Sequence, residues 1–355
     1  MPTELVFLGP RRVGFREFEE PAQLGPREIL VRTLFSGISH GTEMNVYRGT
    51  CPEFHMSCVK GLYGEGPPAW RYPMTYGYEE VGQVVACGDA VHEVKDGDVV
   101  ATIYGHRETA VIDLDQTFYL NVVPPGMEPE HGIFHALGAV ALDAYLSSEI
   151  RLGESAVVLG LGIIGQFIVQ LCKLGGVDPV IVVDPIAPRR ERALACGADY
   201  ELDPSRCDVA VEVRRILGRL GADVVFDASG SYAALHESIR CGAPIYGRVM
   251  AIGWYQGEGH GLRLGEEFHH SSFGRGGTCQ IRANNHRAPP APGRAWDTRR
   301  VVNTFFRLMA RGDVALSDLI THRIPFREAA TAFRLIDEHP EQVGKVILEF
   351  GPAAE

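Results

Sequence analysis

Three glycines stand close together in the middle of the chain, in the segment Gly160-Leu161-Gly162-Ile163-Ile164-Gly165. The apolar run before this segment is typical of a buried strand, and the apolar residues after it recur at helical spacing. In such a strand-to-helix turn the first glycine permits the tight turn, the second lets the backbone approach a pyrophosphate and the third permits close helix packing. The helix amino terminus would offer free N–H groups to phosphates. The segment therefore predicts a dinucleotide site.

Asp184 ends the next apolar run, Pro179-Val-Ile-Val-Val-Asp, near the offset of about 20 residues at which a dinucleotide site has its acidic residue. A carboxylate there can bind both hydroxyls of the adenosine ribose and repel a 2′-phosphate, so the sequence predicts NAD. NADP stays an alternative because Arg189 and Arg190 follow the strand, and an arginine can pair with a 2′-phosphate. Solvated arginines at a helix start are the other interpretation.

Small residues follow two further predicted strands at the carboxyl edge of the sheet, where open α/β sheets bind cofactor and substrate. Ser229 and Gly230 come after residues 224–227, and Gly253 comes after residues 248–252. We expect these three residues to line the cofactor site.

The strand and helix patterns that position these residues change along the chain. Residues 1 to about 120 contain short strands separated by turn signals, which is typical of a barrel-like β unit. From about 125 to 285, strands alternate with helices, which indicates a parallel sheet covered on both faces. A segment rich in Pro, Arg and Asn, residues 282–293, predicts a crossing between domains. Helices near 298–310 and 328–337 and a strand over 345–350 are expected beyond it.

The 355 residues exceed the length at which one core usually keeps growing, so two domains are expected. A net charge of -11 argues against binding of nucleic acid or anionic lipid, both of which need clustered cations, and favours a small-molecule substrate. The eight cysteines form no Cys-x-x-Cys pair, and no signal peptide precedes the first strand, so the sequence predicts a cytoplasmic protein. Glycines and glutamines interrupt the apolar run 156–176, which argues against a membrane span.

Together these motifs resemble the medium-chain dehydrogenase/reductase superfamily, the group of zinc alcohol dehydrogenases and quinone reductases. The resemblance extends over nearly the whole chain, through Ser36-Gly-Ile-Ser-His-Gly-Thr-Glu, Gly77-Tyr-Glu-Glu-Val-Gly, the glycine segment, Asp223-Val-Val-Phe-Asp-Ala-Ser-Gly, Ile320-Thr-His-Arg-Ile-Pro-Phe and Gly344-Lys-Val-Ile-Leu. It implies an α/β protein with a GroES-like β-barrel catalytic domain in residues 1–124, a Rossmann doubly wound parallel sheet in 125–285, and a return to the first domain in 286–355. It also implies substrate in the cleft between the domains, a homodimer, and Lys345 near the pyrophosphate.

The resemblance further implies where zinc members bind their catalytic metal, and those positions are changed in this sequence. His40 stands at the position of the ligand cysteine, and Tyr78 replaces the histidine of Gly-His-Glu, although Glu79 is kept. The third position falls near Ala136, with His135 beside it. An unusual site of His40, Glu79 and His135 stays an alternative, but the expectation is an enzyme without catalytic zinc.

Without zinc, side chains must manage the proton of the reacting hydroxyl. Thr42 matches the family residue that hydrogen-bonds the reacting oxygen, and the resemblance implies that His40 and Tyr78 face the same position. Imidazole suits proton transfer at neutral pH, whereas tyrosine needs a lowered pKa or serves as an acid in reduction. His40 capping a turn, Tyr78 as a packed wall and Glu79 as a buried structural carboxylate are the alternatives.

The leading hypothesis is a zinc-independent, NAD-linked oxidoreductase that interconverts a secondary alcohol and a ketone. The segment that begins at Ser36 is similar to bacteriochlorophyllide dehydrogenases and related biosynthetic enzymes, which oxidise secondary alcohols on elaborate substrates. The long segment 50–75, rich in aromatic residues, predicts a lid or pocket wall, with a disordered insertion as the alternative. Rival functions are an enoyl or quinone reductase, a redox-neutral epimerase that retains NAD, and a non-catalytic nucleotide-binding protein.

Overall fold

The computed structural model describes residues 1–244, 246–270, 279–284 and 295–351. The chain divides into two compact units, one of Met1–Ala136 with Val302–Glu355 and the other of Leu137–Val301. The boundaries predicted from the sequence, after residues 124 and 285, lie earlier than these. Residues up to Ala136 belong to the first unit because a 3-10 segment, Pro129–Phe134, packs on its main sheet. Most of the predicted crossing, from residue 285 to 293, lies outside the described residues.

The first unit is built mainly of β-strands. Its strands are β1 (Thr3–Gly9), β2 (Arg12–Glu17), β3 (Glu28–Gly37), β4 (Ser57–Val59), β5 (Leu62–Gly64), β6 (Glu80–Cys87), β7 (Val99–Thr102), β8 (Thr109–Asp113), β9 (Leu120–Val122), β16 (Ile320–Pro325) and β17 (Lys345–Glu349). Its short helices are α1 (Thr42–Arg48) and α8 (Ala329–Glu338), with 3-10 segments Pro52–Phe54, Pro129–Phe134 and Phe326–Glu328. Among the described residues, seven strands form the main sheet in the order β16-β17-β3-β6-β7-β9, with β8 paired to β3.

Apolar residues on β3, β6, β7 and β8 point to one buried cluster, which gives this unit its core. Ile29, Val31, Val84, Val100 and Ile112 belong to it. All strand pairs in the sheet are antiparallel except β16 with β17. This confirms the prediction of a GroES-like β-barrel unit.

The pairing of β3 with β6 brings two of the sequence motifs together. Ser36 lies opposite Glu80, and the amide of Gly37 donates to the carbonyl oxygen of Glu79 at 2.7 Å. A Cβ atom on Gly37 would lie 2.5 Å from Glu79 Oε2, so the close approach requires glycine. The turn that follows β3, which carries His40, therefore begins beside the Glu79 backbone.

The second unit alternates strands and helices. Its strands are β10 (Ala156–Leu159), β11 (Val180–Val183), β12 (Tyr200–Leu202), β13 (Val224–Asp227), β14 (Arg248–Ala251) and β15 (Gln280–Arg282). Its helices are α3 (Ile163–Leu174), α4 (Ala187–Ala195), α5 (Val209–Leu217) and α6 (Tyr232–Cys241), with a π-helical turn at Leu264–Phe268. Two longer helices, α2 (His135–Ser148) and α7 (Thr298–Ala310), cross the unit boundaries in sequence.

Within the described part of the second unit, six strands form one sheet in the order β12-β11-β10-β13-β14-β15, and every neighbouring pair is parallel. Strands β10, β11 and β13 are buried along their whole length, which explains their unbroken apolar runs. The order places the first strand at the centre, where the chain reverses direction across the sheet, and confirms the predicted Rossmann fold. The run 156–176 is divided between β10 and α3. Among the described residues, no helix is both long enough and apolar enough to cross a bilayer.

Candidate active site

The glycine segment lies between β10 and α3, and each glycine meets a different requirement. Gly160 has a φ of +83°, and a Cβ there would lie 2.8 Å from the Ser229 backbone. A Cβ on Gly165 would lie 2.0 Å from the carbonyl oxygen of Gly160. Gly162, by contrast, has no atom within 4 Å of its Cβ position. The fold therefore requires the first and third glycines, while the second faces the open space that a pyrophosphate would need.

Asp184 follows β11 and ties that strand end to the glycine segment. It is buried, its Oδ2 accepts a hydrogen bond from the Leu161 amide at 2.8 Å, and its Oδ1 accepts one from the Ile186 amide at 2.8 Å. A carboxylate has about four lone-pair positions, so acceptor capacity remains for ribose hydroxyls. The Arg189 guanidinium lies 3.9 Å from Oδ2, whereas Arg190 donates to the Asp184 carbonyl oxygen at 2.6 Å.

The loops after β13 and β14 approach each other backbone to backbone. A Cβ on Gly253 would lie 2.3 Å from the Gly230 nitrogen, and Gly230 itself has a φ of +73°. Sequence reasoning missed Asp227, the residue that organises this edge. Its carboxylate accepts hydrogen bonds from the Ser229 hydroxyl at 2.6 Å and from the Tyr255 hydroxyl at 2.9 Å. Burial raises the pKa of Asp227.

In the first unit, the Tyr78 side chain is half-buried beside the turn between β3 and α1. Its hydroxyl donates to Ser39 Oγ at 2.5 Å, and the side chain of Thr42, the first residue of α1, lies near enough to the phenol to lower its pKa. Burial raises the pKa of Tyr78 well above its ordinary value, and the charges of Glu79 and Glu43 raise it further. Tyr78 is therefore a neutral phenol at physiological pH. Thr42 and Tyr78, two of the predicted site residues, lie together.

Glu79 and Lys345 form an ion pair whose two side chains are both fully buried. Lys345 Nζ also donates to the Ile38 carbonyl oxygen at 2.7 Å. Burial raises the pKa of Glu79 to about 7, although the Lys345 ammonium acts in the opposite direction. The prediction that Lys345 faces a pyrophosphate is therefore wrong, because its ammonium is enclosed within the first unit. Glu79 takes the structural role that the sequence left as an alternative to catalysis.

Sequence reasoning also missed His106, which lies in the loop between β7 and β8. Its ring is fully buried, with Nε2 2.6 Å from Glu43 Oε2 and Nδ1 2.5 Å from Ser36 Oγ. Burial lowers the pKa of His106, but the neighbouring carboxylates, led by Glu43, outweigh burial and raise it overall. The segment Tyr-Gly-His-Arg gives no local signal for this role.

The segment 50–75 forms a 3-10 turn and the β4–β5 hairpin. Its aromatic rings belong to a series of ring contacts that ends at Tyr78. Phe54 stacks on Tyr72 at 4.4 Å between ring centroids and meets Trp70 edge-on at 5.8 Å. Trp70 lies 5.7 Å from Tyr76, which lies 6.2 Å from Tyr78. The exposed parts of these half-buried rings give the surroundings of Tyr78 an aromatic character.

Comparisons with known proteins agree with both units. Residues 25–116 match the family model of the alcohol dehydrogenase GroES-like domain, and residues 164–272 match that of the zinc-binding dehydrogenase. The chain belongs to the medium-chain dehydrogenase/reductase superfamily. Membership confirms the prediction of an NAD(P)-dependent oxidoreductase built from a GroES-like and a Rossmann domain.

Two curated medium-chain dehydrogenases are similar over most of their length. D-guloside 3-dehydrogenase of Escherichia coli (strain K12) is 29% identical over 357 residues, which cover 98% of this chain and 99% of that protein. L-threonine 3-dehydrogenase of Pyrococcus horikoshii is 27% identical over 351 residues and 91% of each chain. The crystal structure of an Escherichia coli oxidoreductase/dehydrogenase of unknown specificity superposes with a TM-score of 0.78 at 18% identity, covering 99% of this chain and 100% of that one. At this low identity, the likeness to the crystal structure supports the fold alone.

The superfamily includes zinc-binding members, but the residues at the corresponding positions of this medium-chain dehydrogenase do not fit the metal. Zinc needs three or four thiolate, imidazole or carboxylate donors that converge at about 2 Å. Glu79 already binds the Lys345 ammonium, the Tyr78 hydroxyl is hydrogen-bonded to Ser39, and Ala136 has no donor atom. His40 is half-buried in the turn before α1.

The alternative set of His40, Glu79 and His135 does not converge either. His135 is fully buried, donates from Nδ1 to the Gly132 carbonyl oxygen at 2.8 Å, and has its pKa lowered by burial to about 4. Over the part of the chain that the structure describes, the one converging group of three potential ligands lies elsewhere and consists of His236, Glu266 and Glu267. There the Arg263 guanidinium hydrogen-bonds both His236 and Glu266, so a cation already occupies the group.

Proposed function

We propose that this chain is a zinc-independent, NAD-linked dehydrogenase that interconverts a secondary alcohol and a ketone. The observation that carries the proposal is the first unit's polar cluster, in which Lys345 is bound to the carboxylate of Glu79 while the Tyr78 hydroxyl donates to Ser39, with Thr42 close by. The open space beside Gly162 and the acidic residue at the end of β11 support the cofactor half of the proposal.

NAD, when bound, supplies the acceptor or donor of the hydride. The residues that would hold it are the amides after Gly162, the Asp184 carboxylate for the ribose, and the loop of Ser229 and Gly230. Asp184 favours NAD over NADP because its buried carboxylate would repel a 2′-phosphate. The proximity of Arg189 to this carboxylate partly offsets that repulsion. Direct titration with both dinucleotides tests the preference, and tighter binding of NADP would contradict it.

In the reducing direction Tyr78 serves as the acid. A neutral phenol can donate a hydrogen bond to the carbonyl oxygen and give up its proton when hydride addition creates an alkoxide. In the structure this proton points to Ser39 Oγ, so the substrate oxygen would replace Ser39 as the acceptor. Thr42 would hold the same oxygen through its hydroxyl. In the oxidising direction the raised pKa of Tyr78 makes it a poor base at neutral pH, and His40 is our candidate for that role.

The substrate class we propose is a polyhydroxylated ring compound such as a sugar. Aromatic faces pack well against the C–H faces of a sugar ring, and Trp70 and Tyr76 supply such faces next to Tyr78. The name of the relative D-guloside 3-dehydrogenase, which specifies a glycoside, agrees with this class. A cytoplasmic location and a homodimer stay predictions of the sequence.

The test is turnover with glycosides, polyols, simple secondary alcohols, their ketones and conjugated enones, in the wild type and in Tyr78→Phe and Thr42→Val. We expect NAD-linked turnover of a polyhydroxylated substrate and a loss of about 100-fold in kcat for Tyr78→Phe, the scale of general acid catalysis. Tyr72→Phe is the matched control, because its hydroxyl hydrogen-bonds the Val46 carbonyl oxygen and not Ser39 or Thr42. Rapid NADH oxidation with enones alone would identify an enoyl reductase and overturn the proposal.

A further inference from the structure

We propose that His106 and Glu43 are positioning residues for the dehydrogenase reaction, which hold the Tyr78 hydroxyl and Thr42 in place through Ser39. The inference rests on the proposed function of Tyr78 and Thr42. It adds a buried pair from two elements distant in sequence, and neither residue touches the proposed reacting atoms.

Glu43 lies in the first turn of α1 with its side chain fully buried. Its Oε1 accepts a hydrogen bond from the Ser39 amide at 3.0 Å, while Ser39 Oγ accepts one from the Tyr78 hydroxyl at 2.5 Å. Both the backbone and the side chain of Ser39 are therefore fixed by neighbours. Because Thr42 directly precedes Glu43, the same carboxylate also sets the position of the first helical residue.

His106 holds the other side of Glu43. Its Nε2 lies 2.6 Å from Glu43 Oε2, and its Nδ1 lies 2.5 Å from Ser36 Oγ near the end of β3. The ring meets the edge of Phe333 at 6.2 Å, so its orientation is fixed by packing as well as by polar contacts. The turn between β3 and α1 is thus fixed at both of its ends by one imidazole.

Burying two ionisable side chains to hold a turn costs free energy, since the desolvation of such a pair often offsets its attraction. A surface cap would stabilise α1 at a lower cost. The rigid turn has a clear use, however, because it holds both Ser39, which accepts the hydrogen bond from the Tyr78 hydroxyl, and Thr42 at the start of α1. Misplacement of a reacting group by about 1 Å can reduce turnover about 100-fold.

The experiment compares the full-length wild type with Glu43→Ala, Glu43→Gln, His106→Ala and Tyr104→Phe. Glutamine can still accept from the Ser39 amide and donate to a neutral imidazole, so Glu43→Gln keeps the geometry without the charge. Tyr104→Phe is the control for buried hydrogen-bond loss, because its hydroxyl lies 2.9 Å from Thr33 Oγ1 in the same unit and does not contact Ser39. Each variant is also made in the Tyr78→Phe background, and the Kd for NAD and the free energy of unfolding are measured in all of them.

We expect Glu43→Ala and His106→Ala to lower kcat about 100-fold with NAD affinity unchanged, and Glu43→Gln to retain most of the activity. In the Tyr78→Phe background, Glu43→Ala should cost less than about fivefold, because residues that act through one hydroxyl have non-additive effects. If the effects of Glu43→Ala and Tyr78→Phe on kcat were fully additive, or if Glu43→Ala had the same kcat as Tyr104→Phe at matched stability, the positioning role would be overturned. The proposed function would not be affected by either result. Absence of wild-type turnover with every substrate would instead overturn the proposed function and this inference with it.

Discussion

The glycine segment gives a sharp prediction because a Cβ atom would meet open space at Gly162 and a backbone atom at Gly165. We expect Gly162→Ala to weaken NAD binding and leave the fold intact, and Gly165→Ala to damage the fold. At Gly162, φ is -68° and ψ is -170°, which alanine adopts without strain, and the space around the Cβ position is empty for 4 Å. At Gly165 a Cβ would lie 2.0 Å from the Gly160 carbonyl oxygen.

The magnitudes follow from these distances. The Gly165→Ala methyl would overlap a backbone atom, so α3 must move away from β10, at a cost of about 1–3 kcal/mol in the free energy of unfolding. The Gly162→Ala methyl would stand where a pyrophosphate approaches the helix amides. Loss of one charge-assisted hydrogen bond there costs about 1.5–3 kcal/mol, which corresponds to a Kd for NAD raised about tenfold to 100-fold.

The assays are urea unfolding of the protein without added nucleotide and titration of NAD by fluorescence or calorimetry. The free energy of unfolding of Gly162→Ala should lie within about 1 kcal/mol of the wild-type value. Wild-type affinity for NAD in Gly162→Ala would show that the pyrophosphate does not approach this glycine, and wild-type stability of Gly165→Ala would show that α3 does not pack so closely on β10.

Three further predictions concern buried charge and cofactor choice. Asp184→Asn removes the charge that opposes a 2′-phosphate, so the ratio of NADP to NAD affinity should rise about tenfold; an unchanged ratio in paired titrations would contradict that role. His135 has a folded pKa of about 4 against 6.5 unfolded, so the stability it contributes is present above pH 6.5 and lost as the pH falls. Between pH 7 and 5 this loss is about 2 kcal/mol, and His135→Gln should show a correspondingly smaller decrease in urea unfolding. Lys345→Met leaves the Glu79 carboxylate buried without its cation, so it should lower the free energy of unfolding by about 3–5 kcal/mol at pH 8. Adding Glu79→Gln should restore part of this free energy. If Lys345→Met alone were as stable as the wild type, the ion pair would not be formed.

Local patterns predicted four strands of the cofactor half, β10, β11, β13 and β14, but missed the short strands β12 and β15 at the two edges of the sheet. The runs at β10, β11 and β13 are apolar because both sheet faces are covered, and the glycines between β10 and α3 follow from backbone sterics. The predicted bounds of β14 and β17 were one residue too long at their carboxyl ends, where the structure ends the strands at Ala251 and Glu349.

The proton-handling half depends on pairings between distant segments, which a sequence pattern does not specify. Lys345 meets Glu79 because β17 pairs antiparallel with β3, with Ile347 opposite Gly37. His106 reaches Glu43 because a loop between two strands folds over the start of α1. The resemblance implied that His40 and Tyr78 face the oxygen that Thr42 hydrogen-bonds, and this stays a prediction. It placed Lys345 near the pyrophosphate because a sequence pattern does not show that the ammonium pairs with Glu79.

We propose that this dehydrogenase works through Tyr78 and Thr42 without catalytic zinc. The most direct test is the metal content and the NAD-linked turnover of the purified protein before and after dialysis against a strong chelator, with zinc added back at the end. We expect substoichiometric zinc, turnover unchanged by chelation, and no gain on adding zinc. Stoichiometric zinc that is lost together with activity, and restores activity when it is returned, would show that the enzyme depends on the metal.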